Sequence, residues 1–243
     1  MSDAAREARA VLRAAATASL ATILAGGNGR PYASLVIVAA TPAGEPILLL
    51  SDLSEHAKNI AADSRVALMF DGTAGYDDPL AGPRLTVLGD ARRTDQPADR
   101  RRFLARHPAA AEYAGFGDFA IYRIAVERAH FVAGFGRVRW IESADLLLEE
   151  TICAALAEAE EGLVGSLNKE RRADFDSYGR AVAGAADSPW TATGIDPDGV
   201  DLRAEGAVAR LHFDAPATTP EVLLEAVEAA IGRAGEGVAA ADD

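Results

Sequence analysis

Between the apolar runs Pro46–Leu50 and Val66–Phe70 lies a crowd of hydrogen-bonding groups: Ser51, Asp52, Ser54, Glu55, His56, Lys58 and Asn59. Where a strand hands over to a helix, unpaired backbone N–H groups point outward and the helix dipole favours an anion. Ser51 and Ser54 add hydroxyls there. His56 and Lys58 can add positive charge, and Arg30, opening the second strand, can reach the same rim. A phosphate or a carboxylate suits this set. The same residues also read as plain structure, with Ser54 capping the helix and Lys58 and Asn59 facing water.

The four histidines are the other chemical candidates. Haem needs an axial ligand, an apolar slot and cations for its carboxylates. His130, followed by Phe131 and the GFG glycines and close to Arg128, Arg137 and Arg139, suits that role within this chain. It reads equally as a structural histidine bonded to backbone. His107, ahead of Pro108, and His212, between Leu211 and Phe213, are expected to face solvent. No Ser-His-Asp grouping, His-x-x-x-His spacing or paired catalytic carboxylates occur in an identifiable context. Any chemistry would therefore belong to a bound group that the protein orients. Cys153 is the one cysteine, which excludes an internal disulfide and a cysteine-based zinc site. Its apolar neighbours make it buried helix filler, and no metal is expected.

Charge is unevenly distributed. Up to Asp145 there are 17 Lys/Arg and 17 Asp/Glu; from Leu146 onward there are 7 and 20, which gives the whole net charge of −13. Nucleic acid is an unsuitable partner, because its binding relies on clustered basic residues. The one basic cluster, Arg100 to His107, reads as a solvated helix face. No apolar run approaches a membrane span. The N-terminal stretch reads as an amphipathic helix without a signal-peptide core, so the expected location is the cytoplasm.

These side chains must be held by a mainly antiparallel sheet. SLATILA-GGNG-RPYASLVIVAAT is a hairpin signal, and PILLLSD, RVALMFD and PRLTVLGDARRT continue as strands. Connections of a few residues are too short for parallel crossovers. SEHAKNIAAD and QPADRRRFLARHP are helices, with Pro97 in the first turn of the second. FAIYRIAVERAHFVAGFGRVRWI adds one or two strands, and the GFG glycines suggest a bulge or a close backbone approach. Asp77 and Asp78 sit in a Gly/Pro loop as turn formers. About six strands with two interposed helices predict a small closed or split barrel over residues 1–144. Residues 145–243 read as a smaller α+β domain: a long helix through ADLLLEETICAALAEAEEG, a second through ERRADFDSYGRAVAG, strands about a DPDG turn, a helix PEVLLEAVEAAIGRA, and a frayed tail GEGVAAADD.

The order of strands, the Ser-rich strand end, LSDLSEHAKNIAADSRVAL and HFVAGFGRVRWI resemble the pyridoxamine 5′-phosphate oxidase-like, FMN-binding split barrel. The closer resemblance is to its HugZ-type haem-utilisation branch, which appends a small α+β domain. The resemblance implies an antiparallel six-stranded split barrel of the α+β class that pairs as a homodimer. It implies a flavin (FMN) or haem in the dimer cleft, contacted by Arg30, Ser34, Ser51, Ser54, His56, Lys58, Arg84 and His130. An oxidoreductase, or a regulatory protein that kept the scaffold and lost the cofactor, would both follow. Two departures stand out. Flavin-using members place Ser-Arg-Lys where this chain has Ser54, Glu55 and His56, and a carboxylate there repels a phosphate. A His-Met-Asn-x-Asp-His stretch of relatives is matched here by Asn168 alone, within Ser166 to Arg171.

Overall fold

The computed structural model describes residues 2–183 and 188–239 of the 243-residue chain. The chain divides into two compact units, Met1–Leu148 and Glu149–Asp243. No helix among the described residues is long and apolar enough to cross a membrane.

The first unit begins with α1 (Asp3–Ala14), whose N-cap Ser2 accepts a hydrogen bond from the Ala5 amide at 3.3 Å. Strands β1 (Thr17–Ile23) and β2 (Pro31–Ile37) form the expected hairpin, followed by the two-residue β3 (Ala39–Ala40) and β4 (Pro46–Ser51). Then come α2 (Glu55–Ala62), β5 (Arg65–Asp71), β6 (Arg84–Arg93), α3 (Pro97–Arg106), β7 (Phe119–Val132), β8 (Val138–Glu142) and the short α4 (Ser143–Leu146). All pairings are antiparallel. The order is β2-β1-β5-β6-β7-β4-β3, and β8 pairs with the far half of β7. The sheet thus has eight strands where six were expected, because β3 and β8 are short additions at its margins. It is a curled antiparallel sheet of the split-barrel type. Its bend is visible where the β6–β7 register shifts at Leu88/Gly89. A Cβ on Gly89 would lie 2.3 Å from the Ala125 carbonyl oxygen, so only glycine permits that approach.

The core follows from the period of two along each strand. Leu20, Leu68, Phe70, Leu85, Val87 and Phe131 point inward and pack with Ala5, Ala8 and Leu12 of α1. β4 is apolar on both faces. Leu48 and Leu50 enter that core, while Ile47 and Leu49 pack with Phe103 of α3 in a second cluster. Its unbroken PILLL run is explained by burial on two sides.

The basic stretch Arg100–His107 is not the solvated face its composition suggests. Arg102 and Arg106 are buried. Arg102 donates to the Ala40 carbonyl at 2.9 Å, and Arg100 to that of Ala114. Arg106 Nη2 meets the carbonyls of Arg13, Ala14 and Ala15 at 2.9, 3.1 and 2.9 Å. Those are orphan acceptors at the end of α1, and a guanidinium there also suits the helix dipole. Arg9 and Arg13 do the same from α1, donating to the Leu146 carbonyl and to those of Thr41 and Pro42. His107 is likewise not solvent-facing. Its Nε2 lies 2.8 Å from the Val38 carbonyl and its ring packs on Phe103.

In the second unit, α5 (Glu150–Glu170) and α6 (Arg172–Ala183) precede a three-stranded antiparallel sheet of β9 (Thr191–Asp196), β10 (Gly199–Ala204) and β11 (Ala207–His212), in the order β11-β10-β9. The helix α7 (Pro220–Ala239) follows. It runs through most of the stretch expected as a frayed tail; residues 240–243 of that tail lie outside the described residues. The long helix expected across ADLLLEETICAALAEAEEG is broken at Leu147–Glu149 into α4 and α5. Trp190, Phe175 and Leu202 centre this unit's core. Asn168, the one residue of the histidine-rich motif retained here, binds both the amide and the carbonyl of Ala192 with its side chain, at 2.7 and 3.0 Å. Its role is to tie α5 to β9. Arg210 is buried between Asp196 and Asp201, at 2.7 Å from each. His212 is exposed, as its alternation with buried Leu211 and Phe213 implies.

Arg106→Met is expected to lower the unfolding free energy by about 3 kcal/mol, because charge-assisted hydrogen bonds are lost and buried carbonyls orphaned. Arg101→Met, exposed on the same helix, should change it by less than about 0.5 kcal/mol. Urea unfolding of both variants checks this. Equal midpoints would contradict the tie between α3 and α1.

Candidate functional site

The antiparallel register lines up outward-facing side chains across the first unit. One line runs Leu35, Ser19, Met69, Thr86, His130, Trp140, each residue directly opposite the next on the neighbouring strand. The adjacent line on the same face runs Ala33, Ala21, Ala67, Leu88, Arg128, Glu142. Large apolar groups stand out on this face: Leu35 is 74% exposed, Trp140 55% and Val138 52%. Beside Trp140, the His130 ring packs at 4.7 Å between centroids, and the Arg128 guanidinium lies 4.6 Å from the indole centroid. A cation over an indole face is attracted by the ring quadrupole. Near Ala21, Ala67 and Leu88 the small side chains leave a shallow apolar depression of about 280 Å³, with Arg65 at its rim. The result is a half-apolar surface carrying an imidazole and a guanidinium.

Sequence reasoning found His130 and its neighbouring arginine but missed Leu35, Met69, Leu88 and Trp140. The signal was present: β2, β5, β6 and β8 carry apolar residues at both parities, which a sheet wet on one side does not need.

The Ser-rich corner is built differently. The Ser51 hydroxyl donates to Asp118 Oδ2 at 2.5 Å and accepts from the Leu53 amide at 3.1 Å. Ser54 is the N-cap of α2: it donates to the Ser51 carbonyl at 2.6 Å and accepts from the Ala57 amide at 3.3 Å. Asp52 forms an ion pair with Arg93, which also donates to the Tyr122 hydroxyl at 2.9 Å. Glu55 and Lys58 are exposed. Asn59 does not face water. It is fully buried, donating to Thr22 Oγ1 at 2.9 Å and accepting from the Ala25 amide at 2.8 Å.

The remaining candidates fall into three places. Ser34 and His56 are brought together, with Ser34 Oγ 3.2 Å from His56 Nδ1. Burial pushes the His56 pKa below its ordinary value, which favours the neutral ring. Arg30 is exposed at the end of the β1–β2 turn. Arg84 lies on the outward face, next to the line that holds His130, and donates to the Leu80 and Gly82 carbonyls at 3.0 and 3.2 Å. It holds the β5–β6 loop. The GFG glycines serve a close approach, since a Cβ on Gly134 (φ +114°) would lie 2.7 Å from the Ala81 carbonyl oxygen. Among the described residues, no group of three or more His, Cys, Asp or Glu is placed to hold a metal ion.

Comparison with known proteins matches this geometry to a family. A solved protein of unknown function from Agrobacterium tumefaciens is 31% identical, over 93% of this chain and 94% of that one, with a TM-score of 0.78. A haem-binding protein from Mycobacterium smegmatis is 28% identical over 97% of this chain and 99% of its own, with a TM-score of 0.58. A noncanonical haem oxygenase of the Arabidopsis thaliana chloroplast is 30% identical over 174 residues, 69% of this chain and 53% of the relative. The chain thus spans about half the length of that curated relative. The family model described as the CREG β-barrel matches residues 1–147, the whole of the curled sheet and its helices, and the chain belongs to that family.

Proposed function

We propose that this protein binds haem on the outward face of its sheet and that a second copy covers the same face. The observation that carries the reading is the single cross-strand line in which His130 packs against a half-exposed Trp140, with Met69 and Leu35 continuing it. A porphyrin is a flat apolar ring with two carboxylates at one edge. The exposed apolar side chains offer it contact area, Arg128 offers a partner for a carboxylate, and His130 offers an imidazole nitrogen to the iron. Haem, when bound, would supply any redox chemistry, and the protein's share is to bind and orient it. The similarity to a haem-binding protein over nearly the whole chain supports the same ligand.

Leu35 and Trp140 are too large and too exposed to be left in water without purpose, and a twofold partner presenting the same patch would bury both. A homodimer with haem at its seam follows. The buried single cysteine is in keeping with a cytoplasmic location.

Titration of the purified protein with hemin is expected to give a sharpened Soret band that saturates at one haem per chain. His130→Ala should shift that band and weaken binding at least tenfold. No spectral change at saturating hemin would overturn the haem reading, and an identical spectrum and affinity in the variant would overturn the placement. Sedimentation velocity is expected to give twice the 25.3 kDa chain mass for the parent protein and the single-chain mass for Leu35→Arg. A monomeric parent, or a variant that still pairs, would contradict the covered face.

A further inference from the structure

The resemblance to FMN-binding split barrels implies a flavin phosphate at the Ser-rich corner where β4 meets α2, and the residues there can be tested against the group. We infer that Asp118 closes this corner to phosphate and thereby excludes FMN. The inference stands apart from the haem reading, since it concerns the other end of the barrel.

A phosphate dianion needs donors, and here both serine hydroxyls and three of the backbone amides are already engaged. The Ser51 hydrogen goes to Asp118, and the Ser54 hydrogen to the Ser51 carbonyl. The Leu53 amide goes to Ser51 Oγ, the Ser54 amide to the Ser51 carbonyl, and the Ala57 amide to Ser54 Oγ. The arrangement is held from the backbone as well, because the Asp52 amide donates to the Asp118 carbonyl at 2.8 Å. That bond fixes the Asp118 side chain beside Ser51. A phosphate at this point would have to displace a carboxylate from its hydroxyl and then share the space with it.

The charges oppose it too. Asp52, Glu55 and Asp118 bring three carboxylates to the corner. Arg93 is engaged by Asp52 and Tyr122, which leaves Lys58, an exposed and well-hydrated ammonium, as the nearby cation on α2. Like charges at close range in a half-buried site strongly disfavour a further anion. Asp118 is 67 residues from Ser51 in sequence, so the strand-and-helix signature survives while its ligand chemistry has been inverted.

The test compares FMN with riboflavin, which carries the same ring without the phosphate, by quenching of flavin fluorescence. In the full-length parent protein riboflavin should bind at least tenfold more tightly than FMN. The double substitution Asp118→Asn with Glu55→Arg removes both negative charges and restores a guanidinium. It should tighten FMN binding at least tenfold and leave riboflavin unchanged. Parent protein that binds FMN as tightly as riboflavin, or more tightly, would overturn the inference, and so would a folded double variant that gains nothing. Glu55→Arg alone, at an exposed position, should give a smaller gain in the same direction. The comparison in the parent needs no variant and decides the question even where Asp118→Asn impairs folding.

Discussion

The antiparallel register of the first unit is the constraint from which the rest follows. Because successive side chains alternate between faces, fixing the inward set fixes the outward one. Leu20, Leu68, Leu85 and Phe131 must point inward to make the core, and this places Ser19, Met69, Thr86 and His130 in one outward line. A slip of one residue would expose the core and bury the line. Stability and the candidate binding face are thus set by the same hydrogen-bond ladder. Burying a side chain such as Leu35 would be worth roughly 1.5–3 kcal/mol, a gain the single chain forgoes.

Around this sheet, buried arginines do work that apolar packing cannot. Helix α1 lies on the barrel through Ala5, Ala8 and Leu12, small contacts with modest area. Arg106 closes its C-terminal carbonyls, Arg13 reaches the β3–β4 turn, and Arg9 reaches Leu146. Each guanidinium satisfies backbone acceptors that would otherwise be buried without partners. In a chain with few aromatics, long cationic side chains bridge the distances between small ones.

Much of this was legible in sequence, and what was missed has physical reasons. The hairpin, the antiparallel sheet, the Ser54 cap and the Pro97 start of α3 are local signals, each carried by a few adjacent residues. Arg102 and Arg106 were misread because charge predicts exposure only until a partner is known, and their partners are carbonyls far away in the chain. Asn59 was misread for the same reason. The corner hydroxyls were correctly singled out as hydrogen-bonding groups. That Asp118 receives the Ser51 hydrogen depends on β4 pairing with β7, which composition does not reveal. Leu35, Met69 and Trp140 were not singled out, because only the strand register shows which face they occupy. The break between α4 and α5 lies in an unbroken helical pattern, where Leu148 instead donates its amide to Ala43.

The proposed haem site rests on a cation, an imidazole and an indole gathered on one exposed sheet face. Hydroxyl-radical footprinting read by mass spectrometry tests this most directly, because Met69 and Trp140 are reactive and Trp190 is fully buried. In the hemin-bound parent, oxidation of Met69 and Trp140 should be several-fold lower than in the haem-free Leu35→Arg chain, relative to Phe116 and Tyr76, which are exposed elsewhere on the unit. Unchanged oxidation of Met69 and Trp140 relative to those two residues would contradict binding on this face.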